Sequence, residues 1–323
     1  MTFQSNGASP GADSRHSWRE YAQRMNRVID HIDRHLAGTV DLASIADVAN
    51  FSPYHFHRLF LAWMGETLGD YVRRRRLEAG ALMLNHQRHT PVLNIALDVG
   101  FGSSEAFSRA FKQHFGMTPS DWRRSAPARR EASLAAQRNL DQAESKHDQV
   151  PGARAGNDGE PLFVEPIMNV KIVSLPPVRV AYMRHIGPYG PSISRFWQEQ
   201  FLPWRHANGL ERASCYGIGY DDPDVTPPGK CRYDACVVVP EEFIAHAPVS
   251  IATLPGGRYA VADFRGDGPA IGGAWTELLR RWLPSSGMQP DSRPFFEYYP
   301  ADAYYDAASG VMECQLCVPV RPL

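Results

Sequence analysis

Residues 45–73 (IADVANFSPYHFHRLFLAWMGETLGDYVR) and 95–123 (IALDVGFGSSEAFSRAFKQHFGMTPSDWR) are two copies of one pattern. Ile45/Ile95, Ala46/Ala96 and Phe51/Phe101 match at an offset of 50. Phe56/Phe107, Arg58/Arg109, Phe60/Phe111, Gly65/Gly116 and Thr67/Thr118 match at 51, so the second copy carries one extra turn residue. Each copy reads as a short helix, a tight turn and a second helix. Two such units joined by one helix suit two successive major-groove contacts on duplex DNA.

Local signals place these helices. Val28, Ile32 and Leu36 mark an amphipathic helix over 18–36. Asp41 and Ser52 are N-cap residues, and Pro53 takes a first-turn position where a missing N–H costs nothing. Phe56, Leu59, Phe60 and Trp63 fall at i, i+3, i+4 and i+7, a buried face. Tyr54, His57 and Arg58 fall largely opposite. In the second copy Ser103 or Ser104 caps the helix; Phe107, Ala110 and Phe111 face inward, and Ser104, Glu105, Ser108 and Arg109 outward. Residues 69–88 form an uninterrupted helical pattern, about 30 Å long at ~1.5 Å per residue. That is close to one turn of DNA. Arg73–Arg76 lie on it and read as a solvated face or as phosphate contacts, together with Arg123 and Arg124.

Charge is split along the chain. The net charge of −1 combines +5 over residues 1–130 with −6 over 131–323. A basic half beside an acidic one suggests a nucleic-acid module joined to something else. Residues 1–16 are polar and read as disordered; they form neither a signal peptide nor an anchor, and no apolar run has membrane-spanning length, so the cytoplasm is expected. The expected domains are 17–125, a linker over 126–165 (partly helical at 128–144, flexible at 151–160), and 166–323. All five cysteines follow residue 213. Cys314 and Cys317 form a C-x-x-C, but on a strand a spacing of three puts them on opposite faces, so no metal and no cofactor is expected.

The third region holds a second duplication. LPPVRVAYMRHIGPYG (175–190) parallels LPGGRYAVADFRGDG (254–268) at an offset of 79, and Trp197/Trp275, Trp204/Trp282 and Gly209/Gly287 match at 78. Each half reads as strand, helix, strand, strand. The fold class is therefore multi-domain: an all-α double helix-turn-helix unit plus a pseudo-duplicated α+β unit. The seam between its halves is a natural ligand cleft.

The N-terminal unit resembles the AraC/XylS family of transcription regulators over about residues 18–125. Its second copy carries Gly100-Phe101, then Phe107-Ser108-Arg109-Ala110-Phe111-Lys112, then Gly116-Met117-Thr118-Pro119-Ser120-Asp121-Trp122-Arg123. The C-terminal unit resembles GyrI-like effector-binding domains over about 166–323, on the duplicated layout and Phe296-Glu297-Tyr298-Tyr299. The first resemblance implies double-stranded DNA as partner, read in the major groove by Tyr54, His57 and Arg58 and by Ser104, Glu105, Ser108 and Arg109. The second implies a small-molecule effector held by a buried acid among aromatic rings. Glu297 fits, with Phe295 and Tyr299 on its own face and Trp197, Tyr220 and Trp275 as further walls; Trp204 and Trp282 read as core. Aligned at an offset of 80, the pseudo-repeat partner of Glu297 is Gly217, so the cleft carries one carboxylate. A lone acid ringed by Trp and Tyr suits a hydrophobic cation. The sequence does not choose between activation and repression. A hydrolase using Glu297, or a sequestering binder, are the alternatives. Coupling acts through RNA polymerase contact or by freeing the DNA-binding face, and the sequence leaves both open.

Overall fold

The computed structural model describes residues 12–87, 89–129, 168–291, 293–306 and 309–323; for 12–18, Tyr54 and Arg280 it describes the backbone alone. Most of the expected 126–165 linker thus lies outside the described residues, with 126–129 continuing a helix. The chain divides into two units, Met1–Ala126 with Ala181–Arg184 and Glu242–Ala252, and the remainder.

The helical unit runs α1 (Ala12–Arg34), α2 (Leu42–Val48), α3 (Pro53–Met64), α4 (Leu68–His86), α5 (Val92–Asp98), α6 (Ser104–Phe115) and α7 (119–129). Helix α1 begins inside the 1–16 segment that reads as disordered. The two copies repeat their capping chemistry. The Ser52 hydroxyl accepts from His55 N, and the Ser103 hydroxyl from Ala106 N, which settles the choice between Ser103 and Ser104. Asp70 N and Asp121 N each donate to the Thr three residues earlier, at 3.2 Å. Gly65 and Gly116 end α3 and α6 in the left-handed region, at φ 68° and 76°. The cores repeat too: Phe60 meets Tyr71 edge-on at 5.6 Å, and Phe111 meets Trp122 edge-on at 5.6 Å. Leu59 and Trp63 are only half-buried; Phe56 and Phe60 carry the inner face of α3.

The arginines of α4 depart from the sequence reading. Arg74 is buried, paired with Glu66 at 2.7 Å and Glu78 at 2.9 Å, and Arg75 pairs with Glu78 at 2.8 Å. Arg76 donates to three backbone carbonyls. Only Arg73 of the four is exposed, so the cluster as a whole is not a solvated face. Burial opposes the charge of Arg74, but the two carboxylates overcome it and raise its pKa. Arg74→Ala should cost about 3 kcal/mol, the low end for stripping one partner from a buried pair, because Arg75 still holds Glu78. Chemical denaturation checks this; a loss below about 0.5 kcal/mol would place the pair among surface-type bridges.

Residues 168–323 carry a nine-stranded sheet with two helical segments. Its strands are β1 (Val170–Leu175), β2 (Val178–Ile186), β3 (Cys215–Gly219), β4 (Arg232–Val238), β5 (Ser250–Leu254), β6 (Gly257–Gly266), β7 (Met288–Pro290), β8 (Phe296–Tyr299) and β9 (Met312–Pro322). They are ordered β1-β6-β9-β8-β3-β4-β2-β5, with β7 beside β9. Read from its middle outward, the sheet is the same list twice. Each half has two strands before its helix rather than one, a refinement of the expected pattern. The first short strand crosses over: β1 pairs with β6 of the other half, and β5 lies beside β2.

Helices α8 (Pro191–Phe196) and α9 (Leu202–Ala207) flank a π-turn at Trp197–Phe201; α10 (Gly268–Glu277) and α11 (Leu283–Ser285) flank another at Leu278–Trp282. Each π-turn runs straight into Leu-Pro, where proline removes a donor and crowds the preceding turn, so the wider turn relieves the helix. Trp275 and Trp282 pack on a core of Ala260, Ala262, Leu278, Leu316 and Val318. All five cysteines are free and buried, and burial pushes the Cys317 thiol up to about 12.

Candidate functional site

Two sets of side chains carry chemistry. The first lies on α3 and α6. Arg58 and Arg109 are each the sixth residue of their helix, and both are exposed. His57 and Glu105 are exposed as well, while Ser104 and Ser108 are half-buried beside them. The Tyr54 side chain lies outside the described residues. Glu105 sits in the first turn of α6, where backbone and Ser103 and Ser104 hydrogen bonds hold its carboxyl below the usual range. Of the expected phosphate contacts near the C-terminal end of the unit, Arg123 donates to Thr90 O at 2.6 Å, whereas Arg124 is exposed beside Asp121.

The second set centres on Glu297 of β8. Its Oε2 accepts from the Tyr233 hydroxyl at 2.9 Å and from the Tyr299 hydroxyl at 3.1 Å. Its Oε1 accepts from Trp275 Nε1 at 3.2 Å. Trp197 Nε1 donates to the Tyr233 hydroxyl at 3.2 Å, so the carboxylate is held from both helical segments, directly by Trp275 and through Tyr233 by Trp197. The Trp197 and Tyr299 rings lie 5.4 Å apart, and Trp275 stacks on Phe295 at 6.3 Å. The structure thus brings Glu297, Tyr299, Trp197 and Trp275 together as the sequence expects. Tyr220 belongs to an adjoining group. Its ring lies 5.5 Å from the Arg232 guanidinium, which forms a buried ion pair with Asp221 at 2.8 Å.

Glu297 keeps partial access to solvent, yet it sits deep enough for burial to raise its carboxyl pKa against three hydrogen bonds that favour the charge. Burial and the Glu297 charge likewise push the Tyr233 and Tyr299 hydroxyls well above their ordinary range.

Sequence reasoning missed Tyr233. The signal was Gly217 and Gly219, two apart on β3 and therefore on one face. Gly217 lies directly opposite Glu297 on β8, and Gly219 opposite Tyr233 on β4. A Cβ at Gly217 would stand 2.0 Å from the Tyr233 hydroxyl and 2.5 Å from Glu297 Oε2. The empty glycine face is where the tyrosine and the acid meet.

Comparison with known proteins agrees with both units. A helix-turn-helix domain family matches residues 45–125, and a GyrI-like small molecule binding domain family matches 168–321. The SPbeta prophage-derived protein YosT of Bacillus subtilis is 31% identical over 155 residues, 48% of this chain and 100% of that one. The regulatory protein SoxS of Salmonella typhimurium is 34% identical over 103 residues, 32% of this chain and 95% of that one. YgiV of Escherichia coli is 31% identical over 153 residues, 46% of this chain and 91% of that one. No helix among the described residues is long and apolar enough to cross a membrane. The chain belongs to the AraC-type transcription regulators, with a DNA-binding double helix-turn-helix followed by a GyrI-like small molecule binding domain.

Proposed function

We propose that residues 17–125 read two successive major-groove faces of an operator through α3 and α6, and that residues 166–323 hold a hydrophobic cation at Glu297 that changes the affinity for that operator. The reading places the protein in the cytoplasm. The observation that carries the ligand class is the Glu297 set: one partly accessible carboxylate, no second acid from the pseudo-repeat, and Trp197, Trp275 and Tyr299 around it. Such a site offers a net negative charge and aromatic faces to a cation. It is read as a binding site rather than a catalytic one. The Glu297 oxygens already accept three hydrogen bonds, and burial holds Tyr233, Tyr299 and Cys314 protonated, so none of these three offers an ionised nucleophile beside the acid.

Titration with benzyltrimethylammonium, followed through tryptophan fluorescence, tests this reading. Glu297→Gln should weaken binding by about tenfold to a hundredfold, the loss of one charge attraction at a partly buried site. The pH dependence has a definite sign. The cation prefers ionised Glu297, so binding releases a proton and affinity falls as pH drops through the carboxyl's raised pKa, above the ordinary value of about 4.3. In Glu297→Gln that dependence disappears. Equal affinity in the two proteins at neutral pH would remove the carboxylate from the site. Binding that leaves operator affinity unchanged would make the domain a sequestering one.

A further inference from the structure

Arg76 is one of the least expected side chains in the molecule. It leaves α4 and donates from Nε to Leu36 O at 2.8 Å, from Nη2 to Gly38 O at 2.5 Å and from Nη1 to Gly100 O at 2.9 Å. Leu36 and Gly38 belong to the tail that follows α1. Gly100 is the turn of the second helix-turn-helix. One planar guanidinium therefore fastens three parts of the helical unit at once, using the fixed fork that distinguishes arginine from lysine.

The turn it holds is built for that contact. Gly100 has φ 87°, and a Cβ there would stand 2.7 Å from Ala37 O and 2.9 Å from Arg76 Cζ. The corresponding residue of the first copy, Asn50, has φ 53° but is engaged differently: Arg24 of α1 points at Asn50 O, and Tyr21 stacks on Phe51 at 5.4 Å. Helix α1 and its tail thus touch both turns. The first turn meets the side chains of α1 directly, and the second is joined to the tail through Arg76. Arg75 adds a tie between α4 and Asp33 of α1 at 3.5 Å.

We propose that Arg76 is a positioning residue for DNA recognition, locking the second turn to α1 and α4 so that α3 and α6 keep one fixed spacing and angle. It need not touch DNA. The proposal rests on α3 and α6 being the two readers. Its consequence is specific: loosening Arg76 should spare each head and damage their coordination.

The test uses the full chain and three kinds of duplex carrying a selected operator: intact, with one base pair inserted between half-sites, and with the second half-site scrambled. In the wild type, the intact operator should bind tightest. In Arg76→Ala its affinity should fall about tenfold, the scale of losing hydrogen bonds from a charged donor, while the single-half-site duplex changes less than about twofold. The penalty for the inserted base pair should shrink accordingly. Arg76→Lys, which keeps the charge but not the fork, should behave like the alanine variant and serves if that one folds poorly. Equal weakening on all duplexes, or an unchanged spacing penalty, overturns the proposal. A wild type with no spacing preference overturns the two-reader assignment itself, and the proposal with it.

Discussion

Replacing Arg58 and Arg109 together by alanine should lower affinity for the specific operator at least about thirtyfold. Two bidentate arginine–guanine contacts are worth about 1–3 kcal/mol each, roughly additive when the positions are well separated. Both side chains are exposed at the sixth position of their helices, so their removal should cost the fold little. Affinity for random duplex should change far less, because phosphate contacts carry non-specific binding. The single variants separate the heads: Arg58→Ala relaxes preference at one half-site and Arg109→Ala at the other. Fluorescence anisotropy on operator and random duplexes at one fixed salt concentration decides it. Specific affinity within about threefold of wild type in the double variant would mean that neither arginine reads bases.

What could be read from the chain, and what could not, follows from the range of the forces involved. Caps are local, and Asp41 and Ser52 were legible because a short polar side chain needs only the N–H three residues on. The duplication matched Phe60 to Phe111, and the structure gives both the same edge-on ring partner position, Tyr71 and Trp122. The α4 arginines were misleading for the opposite reason. Four basic residues in a row look like solvated surface until tertiary contacts assign each a separate partner. Part of that assignment was visible, since Arg74 and Glu78 stand at i, i+4. The carbonyls held by Arg76 come from 24 to 40 residues away and leave no local trace. The crossing of β1 onto β6 is equally non-local: in sequence each short strand simply precedes its own half. The Glu297–Gly217 equivalence was legible from an offset of 80, but not its meaning. The two residues are cross-strand neighbours at the middle of the sheet, β8 against β3. A symmetric pair of acids would face each other there and repel. A glycine avoids this and opens space for Tyr233, which the sequence reading did not place in the site.

That last point carries the second large prediction. Gly217→Ala should destabilise the GyrI-like domain by about 2–4 kcal/mol, combining overpacking with the loss of a buried hydrogen bond. The added methyl would stand 2.0 Å from the Tyr233 hydroxyl, 2.9 Å from its Cζ and 2.5 Å from Glu297 Oε2. These distances cannot be tolerated, and β3 is flanked by β4 and β8, so it has no free edge to move toward. Tyr233 must swing out, and with it goes the link from Trp197 to Glu297. Cation affinity should therefore fall together with stability. Tyr233→Phe separates these effects. It deletes the hydroxyl at the closest contact, so Gly217→Ala should cost about 1–2 kcal/mol less in that background, a coupling that a double-mutant cycle in urea measures directly. Additive effects would mean that the alanine is accommodated elsewhere. A stable Gly217→Ala domain with undiminished cation binding would show that the carboxylate does not depend on the tyrosine beside it, and the geometry of the cleft would have to be rebuilt around Trp275 and Tyr299 alone.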